Sequence, residues 1–207
     1  GEAGPHGISA LLVEKNSEGL SFGSNEKKMG WKSQPTAQVI FDDCNISSQQ
    51  LLGEENKGFV YAMRGLDGGR LNIAAAALGG AQTALNIAKK YIKERKAFGK
   101  SLSDFQGLQF KVADMEIAIN SSRIFLREAA WKLDNEKSDA GVYCAMAKKY
   151  VTDNAFNIAN NSLQLLGGYG YLADYGIEKI VRDLRVHQIL EGTNEIMQLI
   201  IARDSLK

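Results

Sequence analysis

The spacing of apolar residues changes once along the chain. Up to about residue 53 they come in short runs, at 8–13, 20–22 and 38–41, and these predict strands. Turn-forming stretches such as Asn16-Ser17-Glu18-Gly19 and Asp42-Asp43-Cys44-Asn45 separate the runs. Three short strands make a poor independent sheet, so residues 1–53 are read as the C-terminal part of a middle β domain.

From residue 54 onward the period is helical, and both prolines, Pro5 and Pro35, lie behind it. Long helices are predicted over 55–94, 103–133, 138–166 and 193–205, with a shorter one within 175–186. An irregularity is expected in the first at Asp67-Gly68-Gly69. The second carries an inward stripe of Leu108, Val112, Met115, Ile119, Ser122, Leu126, Ala129 and Leu133, whose spacings alternate four and three as in a bundle seam. The third has a narrower stripe of Cys144, Ala147, Val151, Ala155, Ile158, Ser162 and Leu165, whose small residues permit close helix approach. The last carries Ile196, Leu199 and Ile200. Long helices with brief links predict a mainly α chain, in which an antiparallel four-helix bundle over 54–207 follows the tail of a β domain.

Composition narrows the function. With 207 residues, 25 basic and 24 acidic, the net charge is +1, which argues against a general nucleic-acid or membrane-surface binder. Two cysteines, Cys44 and Cys144, make no disulfide framework or zinc knuckle, and two histidines argue against a histidine-rich metal site. Residues 71–88 carry no charge, but they are alanine-rich and broken by Asn72, Gln82, Thr83 and Asn86. They read as a buried helix, not a membrane span. The chain starts without methionine and is read as a fragment or a processed chain.

Three segments carry candidate chemistry. Gly167-Gly168-Tyr169-Gly170-Tyr171, at a helix end, is either a C-cap with a turn or a backbone surface that a ligand approaches closely. It is no dinucleotide fingerprint, because no strand precedes it. The basic cluster Lys89, Lys90, Lys93, Arg95, Lys96 and Lys100 reads mostly as a solvated helix end. Arg95, within Glu94-Arg95-Lys96-Ala97-Phe98-Gly99, is suited to bidentate contact with phosphate. In Leu190-Glu191-Gly192-Thr193-Asn194-Glu195, Glu191 follows aliphatic residues and precedes an N-cap, so it is either a capping acid or a general base. Glu195 fits the capping role better. No nucleophile elbow is present for a serine triad, and His187 and Cys144 read as packing side chains.

Together with Leu66-Asp67-Gly68-Gly69-Arg70 and Gln164-Leu165-Leu166-Gly167-Gly168-Tyr169-Gly170, these segments resemble, in order and over nearly the whole chain, the C-terminal half of the acyl-CoA dehydrogenase family. The stretches Gly30-Trp31-Lys32-Ser33-Gln34-Pro35-Thr36 and Arg185-Val186-His187-Gln188-Ile189-Leu190 are most similar to members that act on short branched thioesters of the isobutyryl type, in valine breakdown. The resemblance implies FAD-dependent conversion of an acyl-CoA to the 2-enoyl-CoA, with Glu191 as the base. It implies that Arg95 binds the FAD pyrophosphate and that Phe105 and Gln106 touch the adenine half. Gln164, Leu165, Leu166, Gly167 and Gly168 would line the cofactor from a neighbouring subunit, and Thr193, Asn194 and Glu195 would cap it. Asp67, Gly68, Gly69 and Arg70 would contact the acyl-CoA, with Gly192 beside the acyl chain and Arg203 near the CoA tail. Some members carry the base at the position of Gly69, which offers no carboxylate here. Also implied are a homotetramer built as a dimer of dimers, electron-transfer flavoprotein as acceptor, and a location in the mitochondrial matrix of a eukaryote or the cytoplasm of a bacterium. These 207 residues are not expected to turn over substrate alone, since the family's flavin loops lie outside them. An acyl-CoA oxidase and a non-catalytic helical assembly module of the same fold are the alternative readings.

Overall fold

The computed structural model describes residues 2–207 and separates into two compact units. The first comprises residues 2–28 and 32–66, and the second residues 29–31 and 67–207. In the first unit, strands β1 (Leu20–Phe22) and β2 (Val39–Phe41) pair antiparallel with Leu20 opposite Phe41. Phe22, Val39, Ile40 and Phe41 all remain exposed on this ribbon. The expected strand at 8–13 is not formed. Only Leu11 bridges, to Leu51, and neither residue belongs to the β1–β2 ribbon.

Helix α1 (Gly58–Glu94) runs without a break, so the irregularity expected at Asp67-Gly68-Gly69 does not occur. Glycine costs a helix only about 1 kcal/mol against alanine, which a long packed helix absorbs. Its uncharged stretch is core. Ala74, Ala77, Ala81, Ala84, Leu85 and Ala88 are fully buried. A hairpin of β3 (Lys96–Ala97) and β4 (Lys100–Ser101) follows, turned by Phe98 and Gly99, both at positive φ. Two left-handed residues in a row are what a two-residue hairpin loop requires.

Helix α2 (Gln106–Asp134) buries Met115, Ile119, Ser122 and Ala129 from the expected stripe, and Leu108, Val112, Leu126 and Leu133 pack beside them half-buried. Helix α3 (Ala140–Leu166) lies inside the bundle. Every residue of its expected stripe is buried, and so are Ala145, Lys148, Thr152 and Ala159, so its buried face is wider than the pattern indicated. Helix α4 (Ile177–Arg185) turns Ile177 and Leu184 inward, and α5 (Asn194–Ser205) closes the chain. The stripe expected on α5 is corrected. Met197 is fully buried, while Ile196 and Leu199 are 46% and 42% exposed. The unit is mainly α, as expected, and among the described residues no helix is long and apolar enough to cross a membrane.

Residues 29–31 are held within the second unit by α4. The Asp183 carboxylate accepts from the Trp31 amide, Arg182 donates to the Met29 carbonyl at 2.8 Å, and the Trp31 ring meets His187 edge-on at 5.0 Å. His187 is buried, and neither ring nitrogen has a hydrogen-bond partner within the protein. It packs without bonding, and burial holds its imidazole below the ordinary value, so it is neutral at pH 7.

Candidate active site

Glu191 lies in the link between α4 and α5, and its backbone is left-handed, with φ 56°. Gly192 follows at φ 84°. Two such residues in succession reverse the chain just before the Thr193 N-cap, whose hydroxyl accepts from the Ile196 amide at 3.4 Å. A β-carbon is disfavoured in this region, so Glu191 is held there by its surroundings. The reversal brings its carboxylate against the backbone of α1. A Cβ built on Gly69 would stand 2.5 Å from Glu191 Oε2. A side chain at that point of the helix would displace the carboxylate.

One helical residue further, Arg70 is buried and bonds Asp67 at 2.5 Å, and its Nε finds no protein partner. Beneath the Glu191 loop lies a polar network centred on α3. Lys148 Nζ donates to the Gly192 carbonyl and to Asn194 Oδ1, each at 2.8 Å. Asn194 Nδ2 donates in turn to Asp153 Oδ1 at 2.7 Å and to Thr152 Oγ1 at 3.0 Å, and Gln188 also reaches Asp153 at 2.7 Å. Burial alone would raise the Asp153 carboxyl, but hydrogen bonds from Lys149, Gln188 and Asn194 hold it below the usual carboxylate range. Burial also pushes the Lys148 ammonium down to about 8. Glu195 is exposed and held below its ordinary value by its own backbone amide and the Thr193 hydroxyl, which fits a capping acid.

A second cluster surrounds Arg95. Its guanidinium lies 5.6 Å from the centre of the Tyr169 ring, and among the described residues it pairs with no carboxylate. Arg95, Tyr91, Leu166, Gly168, Tyr169 and Leu172 line an open cleft of about 360 Å³. Gly167 caps α3 at φ 58°, and a Cβ on Gly167 or Gly168 would meet nothing within 4 Å, so bare backbone faces free space. A cation paired with no carboxylate beside exposed amides fits the diphosphate of a dinucleotide. Phe105 packs edge-on to Phe98 at the hairpin tip, with Lys100 4.3 Å above its ring, and Gln106 starts α2 exposed.

The structure thus joins Glu191, Gly69 and Gly192 in one place, and Arg95, Leu166 and Gly168 in another. Asp67 and Arg70 pair with each other, and Gly68 has open space at its α-carbon. Gln164 is exposed, whereas the Leu165 side chain lies in the core and leaves only backbone for a ligand. Arg203 is exposed in the last turn of α5, about 14 Å along the axis from Asn194. Lys148 escaped the sequence reading, although its helical neighbours Cys144, Ala145, Val151 and Thr152, one turn away on either side, are small or apolar and form a legible signal.

Fold and site together define a helical domain that presents a carboxylate from a left-handed turn to a glycine of the facing helix. The model of the acyl-CoA dehydrogenase C-terminal domain matches residues 56–206, and the chain belongs to the acyl-CoA dehydrogenase family, whose members are FAD-dependent. It is 51% identical over 207 residues to the mitochondrial isobutyryl-CoA dehydrogenase of Bos taurus, covering 100% of this chain and 50% of the relative. The corresponding enzyme of Dictyostelium discoideum is 52% identical over 206 residues, with the same coverage. Among solved structures, butyryl-CoA dehydrogenase from Megasphaera elsdenii superposes with a TM-score of 0.96 at 40% identity, covering 99% of this chain and 53% of that one. The chain spans about half the length of the curated relatives it matches.

Proposed function

We propose that this chain is the catalytic helical half of an FAD-dependent acyl-CoA dehydrogenase acting on a short branched thioester of the isobutyryl type. The observation that carries this reading is the approach of the Glu191 carboxylate to the bare backbone at Gly69, which sets a base directly against α1 where a glycine leaves the helix backbone uncovered. Glu191 takes the α-proton. Bound FAD would supply the acceptor for the β-hydrogen, which leaves as hydride, so the substrate loses two hydrogens and gains one carbon–carbon double bond. A carboxylate is a weak base for a thioester α-proton, and its effectiveness depends on exclusion of water and on backbone donors at the thioester oxygen. The Glu191 amide would supply one such donor.

Arg95 would hold the FAD diphosphate. Phe105 and Gln106 would serve the adenine half, and Gln164 with the backbone of 165–168 would serve a neighbouring subunit's cofactor. Thr193, Asn194 and Glu195 would close over it. Asp67, Gly68, Gly69, Arg70, Gly192 and Arg203 would receive the acyl-CoA, and Arg70 has one buried N–H to offer. Residues 1–53 would belong to a middle β domain, as the exposed apolar ribbon of β1 and β2 suggests, and 54–207 to the helical domain.

Self-association into a dimer of dimers is supported by the outer face of α2. Phe110, Ile117, Ile124 and Trp131, seven residues apart, are each more than half exposed. A continuous apolar stripe of this kind marks an interaction surface. Electron-transfer flavoprotein would reoxidise the enzyme, in the mitochondrial matrix if the source is eukaryotic and in the cytoplasm if bacterial. The test is the visible spectrum of the protein at the full length of its relatives. Isobutyryl-CoA is expected to bleach a bound flavin without producing peroxide. Persistent colour under anaerobic substrate would indicate a non-catalytic module, and peroxide an oxidase.

A further inference from the structure

One cation in the second unit is entirely buried. Lys148 is 0% exposed and sits among Ala145, Ala147, Val151 and Thr152 of α3. Among the described residues it pairs with no carboxylate within 4.0 Å, and its fixed partners are the Gly192 carbonyl and the Asn194 side chain. The charges around it are Asp153, Glu191, Glu195 and Arg70. An apolar residue of similar volume would serve packing better than a desolvated ammonium. What the lysine adds is a strong, directed bond to the residue that follows Glu191. Asn194 is already anchored to Thr152 and Asp153, so α5 has other ties to α3. The Gly192 carbonyl has Lys148.

We propose that Lys148 is a positioning residue for the base. Its ammonium holds the Gly192 carbonyl, fixes the left-handed Glu191–Gly192 turn, and so keeps the Glu191 carboxylate over Gly69. The inference rests on the reading of Glu191 as the base. A strained turn persists only where the surrounding structure holds it, and this bond supplies the hold.

The test uses Lys148→Met and Glu191→Gln in the full-length protein. Three quantities are measured: anaerobic flavin reduction at saturating isobutyryl-CoA, substrate affinity, and amide hydrogen exchange of the flavin-free protein. For Lys148→Met, reduction slows at least tenfold while substrate Kd changes less than twofold. Amides of residues 190–193 exchange at least tenfold faster, and those of α1 and α3 keep their wild-type rates. A purely structural role would speed exchange throughout the bundle and would leave the reduction rate of the folded fraction unchanged, and that result overturns the proposal. If Lys148→Met does not fold, Lys148→Leu, which likewise has no donor for the Gly192 carbonyl, is read by the same comparison. Unchanged reduction and exchange in the lysine variant beside a slowed Glu191→Gln overturns the positioning role and leaves the base standing. Wild-type reduction in Glu191→Gln overturns the base, and the positioning role falls with it.

Discussion

At the scale of single residues the site depends on what is absent from Gly69 and what is buried at Lys148. An added methyl at Gly69 meets Glu191 Oε2 at 2.5 Å, and that atom is the end of a flexible side chain. The fold can therefore accept Gly69→Ala, and removing a mid-helix glycine favours the helix by up to about 1 kcal/mol. The carboxylate, however, must move. Gly69→Ala is expected to raise the unfolding midpoint slightly or leave it unchanged while flavin reduction falls at least tenfold. A variant that reduces at the wild-type rate would place the reacting chain elsewhere. Lys148 gives a second prediction. Its folded value of about 8 lies below the unfolded 10.5, so between those limits the unfolded chain binds a proton the folded chain has released. Stability from this group therefore rises with pH across that window, by on the order of 3 kcal/mol in full. Denaturant unfolding of wild type and Lys148→Met at pH 7.5 and pH 10 reads the term directly. The difference between the two proteins should shift in favour of wild type at pH 10, and a constant difference would contradict the burial of the charge.

At the scale of elements, the unpartnered outer face of α2 makes its own prediction. Replacing both Ile117 and Ile124 by Lys puts charge into the middle of the stripe without touching the inward seam of Met115 and Ile119. Light scattering should show loss of the higher assembly with helical content retained, and an unchanged assembly would mean that another face carries it. The two seams of α2 differ in how legible they are in the sequence. The inward one stands out because four-three spacing of Leu, Val, Met and Ile is hard to produce by chance. The outward one is masked, since every seventh residue alone falls below any amphipathic pattern. On α5 the aliphatic residues Ile196 and Leu199 drew the reading to the wrong face, because Gly192 and Thr193 set the helix phase and turn Met197 inward. The β3–β4 hairpin hid within a basic cluster, where only Phe98-Gly99 signalled a turn. Lys148 hid for the opposite reason: beside Lys149 it counts as surface unless the small residues one helical turn away on either side are weighed with it. Glu191 and Arg95 were visible because each breaks a local pattern, an acid after aliphatic residues and an arginine at a helix end.

At the scale of the whole molecule, one helical unit brings together residues far apart in sequence. Gly69 on α1, Lys148 on α3 and Glu191 ahead of α5 meet because α3 runs through the interior and the α4–α5 link folds back over it. The proposed activity takes Glu191 as its base. The most direct measurement is anaerobic stopped-flow reduction of the bound flavin by isobutyryl-CoA in full-length wild type and Glu191→Gln. Gln keeps the size and reach of the side chain but cannot accept the α-proton, and general-base catalysis is worth roughly 10²–10⁴-fold. The account predicts unchanged flavin content and substrate binding with reduction slowed by at least a hundredfold. Reduction of Glu191→Gln at the wild-type rate would make Glu191 a capping acid and contradict the account.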